Sequence, residues 1–348
     1  MTIPQPLKLI GGTASPYTRK MVALLRYRRI PYSITWGDPG QVLESMGLEK
    51  PRPGLLPTFL FPDEGGALVA TTDSTPIIRR LEGEVAGRSV IPVDPALAFI
   101  DYLLEDFGDE WCTKYMFHYR WHFDADADNA GTLLPVGMQL TIPNEAWQQF
   151  KQHFSSRQIE RLWVVGSNDI TAPIIDASYR RFLALLENHF ENLPFLLGNR
   201  PGAGDFAIYG QLTQLVGFDP TSRAIAHEVS PRTVAWVDQM EDQTGLQPEE
   251  AHWSSLENLP DSLKQLLTEV GRVYVPALLA NVKAVMRGDE TWEAEIDGCQ
   301  WTQKTFPYQA KCLKWINEEY RALSDSDRER VNTLLAGTGC EILLSAGE

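Results

Sequence analysis

Cysteine is scarce in this chain, and its few copies form no redox or metal-binding motif. The four cysteines are Cys112, Cys299, Cys312 and Cys340, which lie far apart and show no C-x-x-C spacing. A disulfide framework and a cysteine-ligated metal site are therefore not expected. The pattern favours reduced thiols, and the sequence positions none of them as a nucleophile.

Long apolar runs and an excess of positive charge are missing as well. No run reaches the roughly 18 to 20 residues of a membrane-spanning helix, and residues 1–6 lack the pattern of a secretory signal. Of 348 residues, 46 are acidic and 31 are basic, which gives a formal net charge of −15. Nucleic acids and anionic membranes carry charge of the same sign, so neither is expected as the main partner. We expect a cytoplasmic protein with at least two domains.

A strand, a tight turn and a capped helix open the chain. Residues 7–10 form a short apolar run that ends at two glycines, which is typical of a buried strand before a sharp turn. Ser15 then occupies a helix N-cap position, and Pro16 follows at the first helical position. At that end of a helix, the backbone N–H groups and the helix dipole favour an anion, including a thiolate. The alternative is that Ser15 only caps the helix.

Two further segments have the features of a site for a peptide-like ligand. Pro57 precedes the strand expected at 58–61, and a proline there belongs at a strand start or in an unusual turn, where a cis bond is allowed. Leu56, just before it, can offer its backbone N–H and C=O to an extended ligand. Asp73 and Ser74 then begin a helix as a polar capping pair. There the hydroxyl group suits a carboxylate, and Asp73 suits an ammonium group.

Taken in this order, the Ser-Pro-Tyr, Leu-Pro and Asp-Ser motifs resemble the thioredoxin-fold domain of glutathione transferases, with the serine motif of the tau-like classes. The resemblance implies that Ser15 stabilises the glutathione thiolate. It also implies that Leu56 and Pro57 meet the cysteinyl unit, and that Asp73 and Ser74 bind the γ-glutamyl group. Relatives that carry cysteine at the position of Ser15 carry out thiol–disulfide exchange, and a serine at that position disfavours this reaction.

The helical half of the chain carries a second match to the same family. Residues 196–210 resemble its N-capping segment, with Asp205 as the capping carboxylate. Gly202 stands where the family usually has Ser or Thr, so half of the capping box is expected to be missing. The aromatic-rich stretch 111–122 falls where the family binds its electrophile. Candidates to line an apolar pocket are Tyr115, Tyr119 and Trp121, and the alternative is that they fill the core.

The residues next to this stretch resemble a metal site only in part, and we do not expect one there. His118 and His122 stand four residues apart, and three aspartates follow, as in some metal sites. The acidic run does not fit a calcium loop, because Asn129 replaces the required glycine and Pro135 the closing glutamate. We expect a solvated acidic turn, then an irregular region over 129–173 with a single helix at 144–162.

The last hundred residues extend beyond the length of ordinary glutathione transferases. A helical pattern covers 263–286, and helices are expected at 309–320 and 324–335. Between them, residues 292–303 alternate on both sides of Asp297-Gly298, which predicts a two-residue hairpin. One apolar face is then shared by Trp292, Ala294, Ile296, Cys299 and Trp301. No catalytic signature is visible in this extension.

The predicted architecture is a thioredoxin-like α/β domain at 1–86, an all-helical domain at 95–245 and a helical extension at 246–348 with a hairpin near 291–304. The function implied by the resemblance is that of a glutathione S-transferase. Glutathione is its co-substrate, a small, partly apolar electrophile its other partner, and a homodimer its assembly; no metal is implied. The alternative is a non-catalytic transferase-like scaffold or glutathione-binding interaction protein.

Overall fold

The computed structural model describes residues 5–345. Most of segment 1–6, for which the sequence predicts no secretory signal, therefore lies outside the described residues. No helix in the described part is both long and apolar enough to cross a membrane.

The N-terminal part is built on a four-stranded mixed sheet. Its strands are β1 (Leu7–Gly11), β2 (Tyr32–Trp36), β3 (Thr58–Pro62) and β4 (Leu68–Thr71), in the order β2-β1-β3-β4. Strands β1 and β2 are parallel, whereas β3 is antiparallel to both β1 and β4. The helices are α1 (Pro16–Tyr27), α2 (Pro39–Ser45) and α3 (Ser74–Glu84). This arrangement confirms the predicted thioredoxin-like α/β fold.

Eight helices form the next part of the chain. They are α4 (Pro95–Glu110), α5 (Cys112–His122), α6 (Asp124–Met138), α7 (Asn144–Ile159), α8 (Ala172–His189), α9 (Ala203–Gly217), α10 (Pro220–Val229) and α11 (Pro231–Met240). Short 3-10 turns lie at Leu162–Val165, Glu250–His252 and Leu256–Asn258. Helix α9 is buried from Ala203 to Val216 and packs against both α1 and α4, so it joins the α/β part to the helical part.

The cap of α9 is complete although Gly202 has no side chain. Asp205 accepts hydrogen bonds from the backbone N–H groups of Leu196 and Gly202, each at 2.9 Å. Asp101 of α4 accepts from Ala203 N at 3.1 Å and from Gly204 N at 3.0 Å. A Cβ atom at position 202 would collide with the Asp101 carboxylate. A side chain from another helix thus replaces the missing half of the capping box.

As far as residue 345, the C-terminal extension contains five helices and a hairpin. They are α12 (Asp261–Glu269), a π-helical turn (Val270–Tyr274), α13 (Val275–Arg287), β5 (Thr291–Ile296), β6 (Cys299–Lys304), α14 (Pro307–Ala322), α15 (Asp325–Leu335) and α16 (Glu341–Ser345). The hairpin pairs Ile296 with Cys299, as predicted. Trp292, Ile296 and Trp301 are buried, but Cys299 is exposed at the turn, so the predicted apolar face is shorter by one residue. Helices α14 and α15 both pack on α4.

The prediction for 129–173 was wrong in its first part. Helix α6 continues through Gly131 and Pro135 to Met138, because packing against α5 and α7 outweighs the low helix propensity of those residues. The acidic run is not a solvated turn either. Asp126 is fully buried and accepts hydrogen bonds from the backbone N–H (2.9 Å) and the hydroxyl of Thr221, in the first turn of α10. The three domain boundaries stay a prediction.

Candidate functional site

Ser15 occupies the N-cap position of α1, as predicted. Its backbone is extended, and its Oγ accepts a hydrogen bond from Thr18 N at 3.2 Å. The residue is half-buried. A serine hydroxyl has one donor and two acceptor sites. Because the cap uses Ser15 only as an acceptor, its proton remains available to a bound anion, and the capping and ligand-binding roles are compatible.

The structure brings Leu56 close to Ser15. The peptide bond between Leu56 and Pro57 is cis. Gly12, in the turn after β1, separates the two residues: a Cβ atom there would lie 3.1 Å from Leu56 Cδ1 and 3.9 Å from Ser15 Cβ. The loop before β3 and the turn before α1 therefore lie next to each other, as the ligand hypothesis requires.

Asp73 and Ser74 lie at the start of α3, but Asp73 does not cap it as predicted. Its φ is 85°, and its side chain makes no capping hydrogen bond. Instead, Asp73 Oδ2 accepts a hydrogen bond of 2.9 Å from the hydroxyl of Tyr308, in the first turn of α14. Burial raises the pKa of Asp73, and the bond from Tyr308 opposes that shift. A residue of the extension thus contacts the proposed γ-glutamyl end of the site.

Lys20 joins α1 to α3 and α4 in a buried ionic network. Its Nζ lies 3.1 Å from Ser74 Oγ, 2.9 Å from Glu105 Oε1 and 2.6 Å from Asp109 Oδ2. Lys20 is fully buried. Burial lowers its pKa, but Asp109 and Glu105 outweigh this effect and raise it overall. Lys20 therefore carries a charge inside the protein and fixes the hydroxyl of Ser74.

Arg120 of α5 holds the loop that precedes Ser15. Its Nη1 donates to Ala14 O at 3.0 Å, while its Nε and Nη2 contact the carboxylate of Asp219 at 3.0 to 3.2 Å. Arg120 is 4 % and Asp219 0 % exposed. The buried ion pair fixes the guanidinium, and through it the backbone at Ala14. From the other side, Gly137 of α6 lies against Thr13, because a Cβ at Gly137 would be 2.8 Å from Thr13 Oγ1.

The aromatic candidates belong to the core. Tyr115 and Tyr119 are fully buried and Trp121 is 3 % exposed, so the alternative interpretation of these residues is the one the structure favours. Tyr17, a second hydroxyl near Ser15, donates to Asp109 O at 2.8 Å. The rings of His118 and His122 stack with centroids 4.6 Å apart. Within residues 5–345, no group of His, Cys, Asp or Glu side chains is arranged to hold a metal ion.

Three residues of this region were not found from the sequence. Lys20 offered a signal, since it is a charged residue on the apolar face of α1. Arg120 offered a weaker one, as a cation within an aromatic stretch. Tyr308 offered none, because it lies 235 residues from Asp73 along the chain.

The fold and the site define a class of protein: a thioredoxin-like domain whose polar helix N-termini meet a helical domain. Comparison with protein families agrees. Residues 9–89 match the family model described as glutathione S-transferase, N-terminal domain, and residues 158–239 match glutathione S-transferase, C-terminal domain. These two segments of the chain therefore match the N- and C-terminal domains of the glutathione S-transferase superfamily.

A search of solved structures finds matches to glutathione transferases at low sequence identity. One is a glutathione transferase family member from Pseudomonas fluorescens Pf-5 with two glutathione molecules bound (15% identity, 68% of this chain, 88% of that chain, TM-score 0.42). A tau class glutathione S-transferase from mango, Mangifera indica, has 17% identity and a TM-score of 0.38, covering 71% of this chain and 94% of that one. A beta-etherase from Sphingobium has 17% identity and a TM-score of 0.41, and the match covers 68% of this chain and 95% of that one. No curated protein matches the sequence significantly.

Proposed function

We propose that this protein is a glutathione S-transferase that transfers the glutathione thiolate to a small, partly apolar electrophile. The observation that supports this most directly is the position of Ser15. Its hydroxyl is half-buried at the N-terminus of α1, its proton is free of the cap, and Leu56 lies on the other side of Gly12.

In the proposed mechanism, Ser15 donates a hydrogen bond to the glutathione sulfur. The positive end of the α1 dipole adds to this stabilisation, so the thiol loses its proton more readily. Lowering the thiol pKa from about 8.5 by two units raises the thiolate fraction at neutral pH from a few per cent to most of the population. The thiolate then attacks the electrophile and displaces its leaving group or adds to it.

The remaining contacts position the peptide. Leu56 offers its backbone to the cysteinyl unit, and Ser74, with the N-terminus of α3, receives the γ-glutamyl carboxylate. Arg120 holds Ala14 and thereby the hydroxyl of Ser15 in place. The helical domain holds the electrophile.

The test is turnover of wild type and Ser15→Ala with glutathione and a set of chloronitroaromatic, epoxide and enone electrophiles. We expect Ser15→Ala to lose turnover by about 10²-fold, as when a donor to a developing anion is removed. Glutathione affinity, measured by calorimetry, should change little. A fall in affinity equal to the fall in turnover would make Ser15 a binding residue instead.

Ser230→Ala is the matched control. Ser230 is also an N-cap followed by proline, and its Oγ accepts from Thr233 N at 3.3 Å. Losing that cap should cost stability of about 1 kcal/mol without loss of turnover. If both serine variants lost activity alike, the effect would be one of folding. Glutathione binding without turnover of any electrophile would favour the scaffold alternative.

A further inference from the structure

The end of helix α6 borders the turn before Ser15. Gly137, in the last turn of α6, lies against Thr13, since a Cβ atom at Gly137 would be only 2.8 Å from Thr13 Oγ1. Thr13 is exposed, and Ser15, two residues later, is half-buried. The end of α6 therefore lies next to the part of the chain that is proposed to hold the glutathione sulfur.

Helix α6 is anchored in its first half and interrupted in its second. Asp126 is fully buried and accepts a hydrogen bond from Thr221 N at 2.9 Å, which fixes the first half to α10. Pro135 has no N–H group, so the helical hydrogen bond from residue 135 to Gly131 O cannot form. Helices bend most readily at such a break. The segment from Gly131 to Pro135 is thus a natural hinge.

The contacts that hold α7 lie at the surface. None of its sixteen residues, all of which the structure describes, is buried. Trp147 Nε1 donates to Thr132 O at 2.9 Å, and Lys151 Nζ donates to Thr132 Oγ1 at 2.8 Å and pairs with the exposed Asp128. Exposed pairs contribute little to stability. Helix α9, by contrast, is buried from Ala203 to Val216, so α7 should separate from its neighbours far more easily.

The packing between α6 and α7 is incomplete. On their outer side, a groove of about 390 Å³ runs between the two helices. A Cβ atom at Gly131 would collide with Ser155 Oγ, so the helices touch at this point. Ser155 Oγ is itself buried there and has no hydrogen-bond partner within residues 5–345. Because a buried hydroxyl without a partner is costly, its exposure to water would favour separation of the helices.

Helix α7 covers an aromatic surface of α5. The ring of Phe154 meets that of Trp121 edge to face, with the centroids 6.0 Å apart. Trp121 is 3 % exposed and directly follows Arg120, whose Nη1 donates to the oxygen of Ala14 beside Ser15. If α7 moved away, Trp121 would become an apolar surface close to the turn before Ser15.

We propose that α7 and the end of α6 form a lid, hinged at Gly131 and Pro135, which lifts from Trp121 and from the turn before Ser15 to admit a substituent on the glutathione sulfur. This inference rests on the proposed function, because the substituent is the electrophile or the product formed from it. In the closed state, Phe154 occupies the place against Trp121 that the substituent takes when the lid is open.

The test compares the association rates of two glutathione derivatives with the full-length protein, measured by surface plasmon resonance. S-(4-nitrobenzyl)glutathione carries an aromatic substituent on its sulfur, whereas glutathione sulfonate carries only oxygen there. Only the first requires the lid to lift. Neither derivative has a free thiol, so neither reduces an engineered disulfide.

Gly131→Ala should hold the lid open, because its Cβ collides with Ser155 Oγ. We expect the nitrobenzyl derivative to associate about tenfold faster, since the binding-competent state is more populated. Amide hydrogen exchange in α7 should also become faster, and association of the sulfonate should not change. Gly83→Ala is the matched control, since Gly83 is a glycine of α3 at which a Cβ atom meets no other atom within 4 Å.

The double variant Thr13→Cys, Gly137→Cys should lock the lid shut reversibly. Thr13 Oγ1, whose place the new sulfur takes, lies 2.8 Å from a Cβ atom at position 137, which is within reach of a disulfide. The oxidised protein should bind the nitrobenzyl derivative about tenfold more slowly or less, because the open state is lost. Dithiothreitol should restore the rate, and the sulfonate should bind both forms equally.

The outcomes separate the lid from the proposed function. If the disulfide left association of the nitrobenzyl derivative unchanged, or slowed both derivatives equally, the lid would be overturned and the proposed function would stand. If Gly131→Ala did not fold, the oxidised and reduced forms of the double variant would decide the question alone. Failure of the wild type to bind either derivative would overturn the proposed function, and the lid with it.

Discussion

The two ends of the candidate site differ in how they are built. At the Ser15 end, the candidate ligand-binding groups are a hydroxyl, a helix N-terminus and loop backbone, and Arg120 binds Ala14 O and Asp219. At the Asp73 end, five carboxylates surround two cations, Lys20 and Arg79, within the protein.

The two ends therefore differ in how they respond to charge. A helix N-terminus with free donors stabilises an anion. Burial among other acids instead raises the pKa values of Asp106 and Glu110, so these groups hold protons more firmly than free carboxyl groups do. The two ends also form in different ways. Local sequence is enough to build the Ser15 end, whereas the Asp73 end depends on packing between helices that are distant in the chain.

The largest effect should come from removing Lys20, the cation that Glu105 and Asp109 share. Lys20→Met leaves Glu105 and Asp109 buried beside each other without their shared partner. We expect the free energy of unfolding to fall by about 3–5 kcal/mol, as when one member of a buried ion pair is lost. Urea unfolding followed by circular dichroism measures it.

Lys50→Met is the control for this change, because Lys50 forms an exposed pair with Glu44 at 3.2 Å. The loss there should be below about 1 kcal/mol. Equal losses in the two variants would mean that the acidic end does not depend on Lys20.

A smaller effect is expected at the other end from Arg120→Lys. Lysine keeps the charge near Asp219 but cannot also donate to Ala14 O in the planar geometry of a guanidinium. The loop before Ser15 should then be less well held, and turnover should fall about tenfold, an effect of positioning. Steady-state kinetics should place most of the loss in kcat.

Arg200→Lys is the matched control, since Arg200 is a buried arginine that donates to Ser89 O and Glu249 O. It should lower stability without changing kcat. If Arg120→Lys changed only the KM for glutathione, Arg120 would act on ligand binding instead of on the position of Ser15.

The smallest expected effect is a change in the pH dependence of stability. Burial, reinforced by the neighbouring acids, raises the pKa of Asp106 to about 7, and burial also raises the pKa of Asp109 to about 6 and of Glu110 to about 8. Between about pH 4 and pH 8 the folded protein thus binds more protons than the unfolded chain, so the free energy of unfolding falls as pH rises.

Asp106→Asn removes one of these groups and keeps an acceptor for Tyr274. The variant should lose less stability than the wild type does as the pH rises from 5 to 8, so the gap between the two stability curves should widen across this range. Thermal unfolding across this range measures it, with the exposed Asp128→Asn as the control. Parallel curves for wild type and Asp106→Asn would contradict the assignment.

Much of the fold was predictable because its signals are local. Ser15 with Pro16, the strand after Pro57 and the Asp-Gly turn of the hairpin each depend on a few neighbouring residues. The features that the sequence did not predict depend on residues far away in the chain. Helix α6 passes through Gly131 and Pro135 because its neighbours hold it, and Gly202 needs no capping side chain because Asp101 fills that place.

The same division holds for the site as a whole. Local sequence is enough to fix the helix N-cap at Ser15, the proline at the start of β3 and the polar pair at the start of α3, since capping and proline geometry act over a turn of chain. The contact of Lys20 between that pair and α4, and the contact of Tyr308 with Asp73 across 235 residues, arise only when the chain is folded. Those contacts arise from packing of whole helices, which gives no pattern in the residues on either side.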